Sequence, residues 1–295
     1  MHTSKADALS YWDICRTEGE GGTGNWRALR RSVEELAAAA SVWQAALGAV
    51  QKPWLCWNMN DDWCLLQQKL ILEVGWTPVV GWDPNSAIKG PGRLASGALA
   101  IDFNRDLKMP VLFPHVPIEL MFMWADRLAF WHADLLLPLP KMRQAATWFD
   151  KLSVSETAAV FSTSGLRNIF RRRQHRFWEV LGCTTKQASA DMFKHGAGWW
   201  RQWSSNHVNL PESASLRTRR SAYNWDHGGG VLYWERECGG KVKRISEGFV
   251  SEGHFSVTSR KNYIRASSKS EEMDLNFDLE DIARRFGLTE LLSAR

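Results

Sequence analysis

The apolar pattern is clearest in the middle of the chain, where a helical run is followed by a long apolar segment. Ile118 to Arg127 has helical spacing, and Leu128 to Leu137 is apolar except for His132 and Asp134. A continuous apolar run of this length, bounded by prolines, predicts a strand covered on both faces. Burying two polar side chains in such a strand is costly unless they have partners. Because side chains two positions apart lie on the same face of a strand, this pair is predicted to point at one spot.

Two interpretations of this pair are open from the sequence. His132 and Asp134 both have side chains that bind metal ions, so they predict a metal site. Alternatively, His132 is a hydrogen-bonded histidine of the core and Asp134 caps the end of the strand.

A strand, a helix and a second strand precede this segment. Trp54 to Asn58 is short, apolar and aromatic, Trp63 to Val74 has helical spacing, and Pro78 to Asp83 again has the pattern of a strand. This unit predicts parallel strands joined by a right-handed crossover, with ligands bound beyond their carboxyl ends. Those ends carry four polar side chains: Asn58, Asp61, Asp62 and Asp83. The alternative for all four is a role in helix capping or in a turn.

The remaining pattern predicts further elements on both sides of this unit. Helices are predicted at 27–50, 141–152, 171–181, 186–194 and 279–292, and strands at 98–103, 158–170, 231–234 and 242–245. Together the elements predict an α/β protein with a mostly parallel central sheet flanked by helices.

Composition narrows the class of protein. The chain of 295 residues is 44% apolar and 23% charged, as in an ordinary globular protein. The 17 tryptophans are unusual, and they suit cores, interfaces and sugar-stacking platforms alike. Five scattered cysteines without a Cys-x-x-Cys pair favour a reducing compartment over a disulfide framework. With no signal-peptide pattern and no apolar run of transmembrane length, the protein is expected to be soluble and cytoplasmic.

The net charge of +5 indicates mild attraction for an anionic partner such as a nucleotide. The basic cluster from Arg171 to Arg176 is expected to be a solvated helix face or a phosphate contact. Because no aromatic ladder or known nucleic-acid module accompanies it, we expect no dedicated nucleic-acid binding.

A glycine-rich segment near the start of the chain has the spacing of a dinucleotide-binding loop. Gly19, Gly21 and Gly24 give the Gly-x-Gly-x-x-Gly pattern, followed by a predicted helix. The buried strand before the loop and the acidic residue about 20 positions after it are both missing. A turn is therefore the favoured interpretation.

The order of these features resembles that of the nucleotide-sugar glycosyltransferases of the GT-A fold. In that family an Asp-x-Asp motif closes an apolar strand, its second Asp binds a divalent metal that neutralises the donor diphosphate, and a late His often completes the coordination. The counterpart here is His132-Ala133-Asp134 with His254, in which His132 replaces the first Asp. The resemblance implies a Mn²⁺ or Mg²⁺ ion held by Asp134, His254 and His132, although an imidazole suits a hard, all-oxygen site less well.

The resemblance also implies binding roles for residues around this motif. Asn58, Asp61, Asp62 and Asp83 would hold the base and ribose of the donor, and His132 stands where the family contacts ribose or metal. Trp199 and Trp200 would form a platform for the acceptor sugar, with one of the two in the core as the alternative.

Catalytic roles follow from the same resemblance. Gln187 and Asp191, four positions apart on one helix face, resemble the polar pair that faces the donor sugar in retaining members, or they are a solvated face. Asp226 and Glu252 are the candidates for the carboxylate base of an inverting enzyme. Basic side chains at Lys241, Lys243 or Arg244 would assist the leaving diphosphate, and Gly228 to Gly230 would approach a phosphate or only turn the chain.

The function that the resemblance implies is transfer of a sugar from a nucleotide-sugar donor to a saccharide or other hydroxyl acceptor, assisted by a divalent metal. The alternative is a non-catalytic carbohydrate- or nucleotide-binding protein with a degenerate transferase fold. The expected organisation is an N-terminal helical leader over residues 1–50, a GT-A-like catalytic domain with a Rossmann-like nucleotide-binding half over 51–265, and a linker with an amphipathic helix packed on the domain over 266–295. This hypothesis requires His254 to lie beside Asp134.

Overall fold

The computed structural model describes residues 14–17, 25–28, 33–82, 90–107, 115–162, 176–195, 197–199, 228–255 and 278–293. The strands are β1 (Ile14–Thr17), β2 (Asn25–Ala28), β3 (Pro53–Asn58), β4 (Thr77–Trp82), β5 (Leu99–Ala100), β6 (Arg127–Trp131), β7 (Glu156–Ser162), β8 (Arg176–Thr185) and β9 (Lys241–Ser246). The helices are α1 (Val33–Leu47), α2 (Asp61–Glu73), α3 (Phe103–Leu107), α4 (His115–Glu119), α5 (Leu139–Asp150), α6 (Lys186–Lys194), α7 (Gly229–Glu237), α8 (Glu247–Val250), α9 (Leu279–Phe286) and α10 (Thr289–Ser293).

Seven of the strands form one mixed sheet in the order β5-β4-β3-β6-β8-β7-β9. The pairs β3–β4, β3–β6, β4–β5 and β7–β9 are parallel, whereas β8 is antiparallel to both β6 and β7. The strands β5-β4-β3-β6 follow the order 3-2-1-4 with which doubly wound sheets begin, so the strand order reverses between β3 and β6. The predicted α/β class, with a mostly parallel sheet flanked by helices, is confirmed.

The core lies on both faces of this sheet because its central strands carry apolar side chains on both faces. In β6, Leu128 and Phe130 pack into one cluster with α1, α6 and α7. Ala129 and Trp131 pack into the other cluster with α2, α5 and α9. Each apolar strand is therefore buried on both sides, as the continuous pattern of the sequence predicted.

Tryptophan supplies much of the volume of these two clusters. Seven are among the largest fully buried side chains: Trp43, Trp54, Trp63, Trp76, Trp124, Trp199 and Trp234. They meet mostly edge to face, as in the pairs Trp54–Trp76 and Trp43–Trp124. Composition leaves cores, interfaces and sugar-stacking platforms open as uses of tryptophan. These seven side chains pack in the core.

Helix α1 and the C-terminal helices α9 and α10 pack onto the sheet domain. In α1, Trp43 is fully buried and its Nε1 donates to Asp106 Oδ2 at 2.9 Å. At the other end, Ile282, Ala283 and Leu288 are buried in the cluster that contains α2. No helix among the described residues has the length and apolar character needed to cross a bilayer.

The central apolar segment differs from its prediction in two ways. The expected helix from Ile118 to Arg127 is the short α4 followed by a 3-10 turn, and Arg127 already belongs to β6. This strand then ends at Trp131, so His132 and Asp134 lie in the turn after it and not inside it. The turn forms because its carbonyl groups have other partners, as described below for Gln67.

Two predicted elements have the wrong type. The expected helix at 171–181 is wrong over its described part, because Phe177, Val180 and Leu181 are buried in β8 between two other strands. The expected strand at 231–234 is wrong because these residues belong to α7, which begins after Gly228 in a left-handed conformation with φ of +80°. A four-residue apolar run is too short for its periodicity to separate helix from strand.

Several boundaries are also corrected. The helix predicted at 27–50 begins only at residue 33, because residues 25–28 form β2. Only two residues of the strand predicted at 98–103 are extended, since Phe103 begins α3. The helix predicted at 279–292 is two helices, because Gly287 at φ of +68° ends α9. The strand predicted at 158–170 ends at Ser162, and the rest of that prediction lies outside the described residues.

The glycine-rich segment at 18–24 lies outside the described residues, but its flanks are described. Thr17 of β1 pairs with Asn25 of β2 in an antiparallel ladder. A dinucleotide loop leads from a strand into a helix, whereas this segment leads from one strand back to its antiparallel neighbour. The turn favoured from the sequence stays a prediction.

Candidate metal centre at the carboxyl edge of the sheet

Three side chains from two distant parts of the chain meet beyond the carboxyl end of β6. His254 Nε2 lies 3.3 Å from Asp134 Oδ1 and 3.2 Å from His132 Nδ1, and His132 Nδ1 lies 3.5 Å from the same Asp134 oxygen. Each side chain thus offers one ligand atom to a common point. The convergence of His254 on Asp134, on which the glycosyltransferase hypothesis depends, is present.

Hydrogen bonds from α2 hold the turn that carries His132 and Asp134. Gln67, which is fully buried on that helix, donates through Nε2 to His132 O at 2.9 Å and to Leu135 O at 2.8 Å. Leu135 N in turn donates to His132 O at 3.2 Å. These bonds satisfy two carbonyl groups of the turn and hold the backbone on which Asp134 lies.

The segment after α8 brings His254 to this turn through backbone contacts. Leu136 N donates to Gly253 O at 3.0 Å, and Phe255 N donates to Asp134 O at 3.1 Å. Together these bonds form an isolated antiparallel bridge between Leu135 and His254. Residue 253 must be small, because a Cβ there would lie 1.8 Å from Leu136 O.

A fourth side chain reaches the centre from the antiparallel strand β8. Glu179 Oε1 lies 3.4 Å from His132 Nε2, the ring nitrogen that faces away from Asp134. The β7–β8 register shifts here, so that Ala159 pairs with Gly182 but the next residue, Val160, pairs with Trp178. Such a bulge redirects side chains and is frequent next to functional sites.

The charges of the centre reinforce one another. Burial alone would lower the pKa of His132, but the carboxylates of Asp134 and Glu179 outweigh it and raise that pKa to about 10. Burial would raise the pKa of Asp134, but the adjacent imidazoles of His132 and His254 outweigh it and hold that pKa well below its usual range. The Asp134 side chain is therefore a carboxylate at neutral pH although it is only 12% exposed.

The residues of the centre fit a divalent cation. Asp134 Oδ1 is buried and has no partner of hydrogen-bond geometry, although both imidazoles lie within 3.5 Å of it. An unsatisfied buried carboxylate oxygen is costly, and a metal ion between the three ligand atoms would satisfy it. His132 Nδ1 and His254 Nε2 are the nitrogen ligands available beside it.

Asn58 lies next to this centre in the sheet, at the carboxyl end of β3. It is fully buried, its Nδ2 donates to Pro91 O at 2.9 Å, and its Oδ1 is buried without a hydrogen-bond partner. Because β3 is parallel to β6, Asn58 at the end of β3 and the turn after β6 lie at the same edge of the sheet. This acceptor oxygen is thus positioned at the reversal of strand order, where ligands of such sheets bind.

The predicted nucleotide-binding carboxylates at the start of α2 have protein partners. Asp61 accepts hydrogen bonds from Arg93 N at 2.7 Å and Arg93 Nε at 2.8 Å, and Asp62 pairs with the same guanidinium. The capping role considered for them belongs to Asn60, whose side chain accepts from Trp63 N. Asp61 and Asp62 hold the segment around Arg93 against α2, and their predicted contact with a nucleotide stays a prediction.

The two residues of the polar pair on α6, Gln187 and Asp191, have different surroundings. Gln187 is exposed and lies in the first turn, where Lys186 N donates to Asp126 O just before β6 begins. The start of the five-residue β6 is about 15 Å from its carboxyl end, so Gln187 lies at the edge opposite the metal centre. Asp191 is half-buried and accepts from Trp234 Nε1 at 2.7 Å.

The other predicted site residues have mixed outcomes. Trp199 is 2% exposed and packs edge to face against Phe130, so it is the core member of the predicted tryptophan platform. Arg244 pairs with Glu235, and Glu252 pairs with Lys141 at 2.6 Å. Lys243 Nζ lies over the ring of Trp148. Asp83, Trp200 and Asp226 lie outside the described residues.

Gln67 and Glu179 are the residues of the candidate centre that the sequence did not reveal. Gln67 is a polar position on the otherwise apolar face of a predicted helix, and this is the one signal that would have marked it. Glu179 carries no such signal, because it lies in a segment predicted to be helical.

Comparison of the chain with protein-family models, with curated proteins and with solved structures finds no match.

Proposed function

We propose that the protein is a glycosyltransferase with a GT-A-like fold, which moves a sugar from a nucleotide-sugar donor to an acceptor hydroxyl with the help of a divalent metal. The observation that carries this proposal is the meeting of His132, Asp134 and His254 beyond the carboxyl end of β6. The motif after an apolar strand and a late histidine are the two parts of the resemblance, and they are adjacent in space.

The position of the centre in the sheet supports a nucleotide donor. The centre lies beside the reversal of strand order between β3 and β6, where open α/β sheets bind nucleotides. Asn58 offers an unsatisfied acceptor at the end of β3, the neighbouring strand. A donor bound along this edge would place its nucleoside at β3 and its diphosphate at the metal centre.

The chemistry of the centre suits a leaving diphosphate. A divalent ion held by Asp134, His254 and His132 would neutralise the diphosphate and the charge that develops on it as the sugar departs. The protein's own part is to keep Asp134 ionised and to hold the ligands in place through Gln67 and the Leu135–His254 bridge. Mn²⁺ and Mg²⁺ are the ions that the resemblance implies.

A screen of nucleotide sugars for hydrolysis and transfer, with and without divalent metals, tests this function. We expect turnover that requires metal and falls to background in Asp134→Ala, while circular dichroism and thermal unfolding show an intact fold. Asp126→Ala is the matched control, because this carboxylate is 89% exposed and lies before β6 begins.

Unchanged turnover in Asp134→Ala, or no turnover with any donor and metal, would overturn the proposal. Calorimetric binding of a nucleotide sugar without turnover would instead support the non-catalytic binding protein that the replacement of the first Asp by His132 suggests.

A further inference from the structure

The spacing of the three ligand atoms carries information about the metal. Their separations are 3.2, 3.3 and 3.5 Å. Ligands about 2.0–2.1 Å from a metal lie roughly 3.3–3.4 Å apart in a tetrahedron, as for Zn²⁺. The same bond lengths place neighbouring ligands of an octahedral ion such as Mg²⁺ only about 2.8–3.0 Å apart. The triangle in the protein matches one face of the tetrahedron.

The chemical nature of the ligands points the same way. Two of the three atoms are imidazole nitrogens, which suit Zn²⁺ and other transition metals, whereas Mg²⁺ prefers oxygen ligands and keeps several waters. Three protein ligands also leave the fourth position of a tetrahedral ion open, which is the arrangement of catalytic zinc sites.

Glu179 completes this arrangement from the far side of His132. With Nε2 of His132 facing Glu179 at 3.4 Å and Nδ1 facing Asp134 and His254, the two ring nitrogens have different partners. A carboxylate that accepts the Nε2 proton leaves the Nδ1 lone pair for the metal and fixes the ring orientation. The bulge in β8 is the local structure that supplies this carboxylate.

We propose that the centre is a tetrahedral site with His132 Nδ1, Asp134 Oδ1 and His254 Nε2 as ligands, which selects Zn²⁺-like ions over Mg²⁺, and that Glu179 is the positioning residue for His132. This inference rests on the metal-binding part of the proposed function, and it departs from the Mn²⁺ or Mg²⁺ ion that the resemblance implies.

Competitive titration of the metal-free full-length protein with Zn²⁺, Co²⁺, Ni²⁺ and Mg²⁺ tests the geometry. An unconstrained site binds Ni²⁺ more tightly than Co²⁺. A tetrahedral site reverses this order, because Ni²⁺ prefers tetragonal geometry. We expect Zn²⁺ to bind most tightly and Co²⁺ more tightly than Ni²⁺, and we expect the Co²⁺ complex to show the intense visible absorption of four-coordinate cobalt.

The role of Glu179 is tested in the same titration with two variants. Glu179→Ala should weaken Zn²⁺ binding by about 100-fold, and Glu179→Gln, which keeps an acceptor for the Nε2 proton, by about 10-fold. The cobalt absorption bands should shift in both variants, while circular dichroism of the metal-free protein shows an intact fold. Glu156→Gln on β7 is the matched control, since its carboxylate accepts from Ser153 N and should leave metal binding unchanged.

The outcomes separate this inference from the proposed function. Tighter binding of Ni²⁺ than of Co²⁺, or the weak absorption of six-coordinate cobalt, would overturn the tetrahedral site while a transferase assisted by Mg²⁺ or Mn²⁺ survives. Wild-type affinity and spectrum in Glu179→Ala would overturn the positioning role alone. Failure of every divalent ion to bind would overturn both the inference and the metal part of the function.

Discussion

Replacing Gly253 with alanine should disable the metal centre without changing any of its ligands. The added Cβ would lie 1.8 Å from Leu136 O, whereas real Cβ contacts essentially never fall below 3.0 Å. The difference requires the segment carrying His254 to move by at least 1.2 Å from the turn carrying Asp134. The obstructing atom belongs to the backbone, so no side-chain rotation relieves the contact.

The size of the effect follows from the bonds that this movement breaks. The bond from Leu136 N to Gly253 O and that from Phe255 N to Asp134 O both cross the widened gap. At about 1 kcal/mol for each bond, the free energy of unfolding should fall by roughly 2 kcal/mol. A displacement of about 1 Å between catalytic groups also lowers turnover by about 100-fold, and metal affinity should fall with it.

Chemical denaturation and metal titration measure these two losses, and the neighbouring helix provides the control. In Gly248→Ala the nearest atom to the new Cβ is Ser246 Oγ at 3.6 Å, an ordinary contact. This variant should keep its metal affinity and change the free energy of unfolding by less than about 1 kcal/mol. Wild-type stability and metal affinity in Gly253→Ala would refute the claim that the close approach of the two segments builds the centre.

Two further predictions concern the support and the charge of the centre. Gln67→Leu should lower the free energy of unfolding by about 1–3 kcal/mol in a denaturant titration, because it removes the donor to the Leu135 carbonyl and one of the two donors to the His132 carbonyl. An unchanged midpoint would contradict this support. Because His132 has a pKa of about 10 without metal, its Nδ1 must lose a proton when an ion binds. Metal affinity should therefore rise as the pH increases from 6 to 9, and calorimetry in buffers of different ionisation enthalpy should detect proton release, whereas pH-independent affinity would contradict the assigned ligand.

The elements that could be predicted from the sequence have signals within their own residues. Pro53 opens β3, the apolar spacing of α2 is regular, and Gly75 follows the end of that helix. The type of β8 could not be predicted in this way, because its residues are extended only through pairing with β6 and β7. The four apolar residues at 231–234 in α7 likewise take their helical conformation from the start of the helix after Gly228 and from packing.

In the candidate site too, some residues have a signal in the sequence and others depend on tertiary contacts. Asp134 and His254 could be proposed as ligands because the order of the motif and the late histidine resembles that of a known family. The contribution of Glu179 depends on the register shift between Ala159 and Val160, which no local pattern encodes. The burial of Trp199 and the pairing of Asp61 with Arg93 depend on tertiary contacts in the same way.

The distance along the chain between His132 and His254 gives bound metal a second effect. The two histidines are 122 positions apart, so an ion held by both would act as a removable cross-link that closes a very long loop. In the unfolded chain the metal-binding side chains are far apart and would bind the ion only weakly. An ion that binds the native state more tightly than the unfolded state raises the stability of the native state by mass action. The melting temperature of this protein should consequently report the free metal concentration.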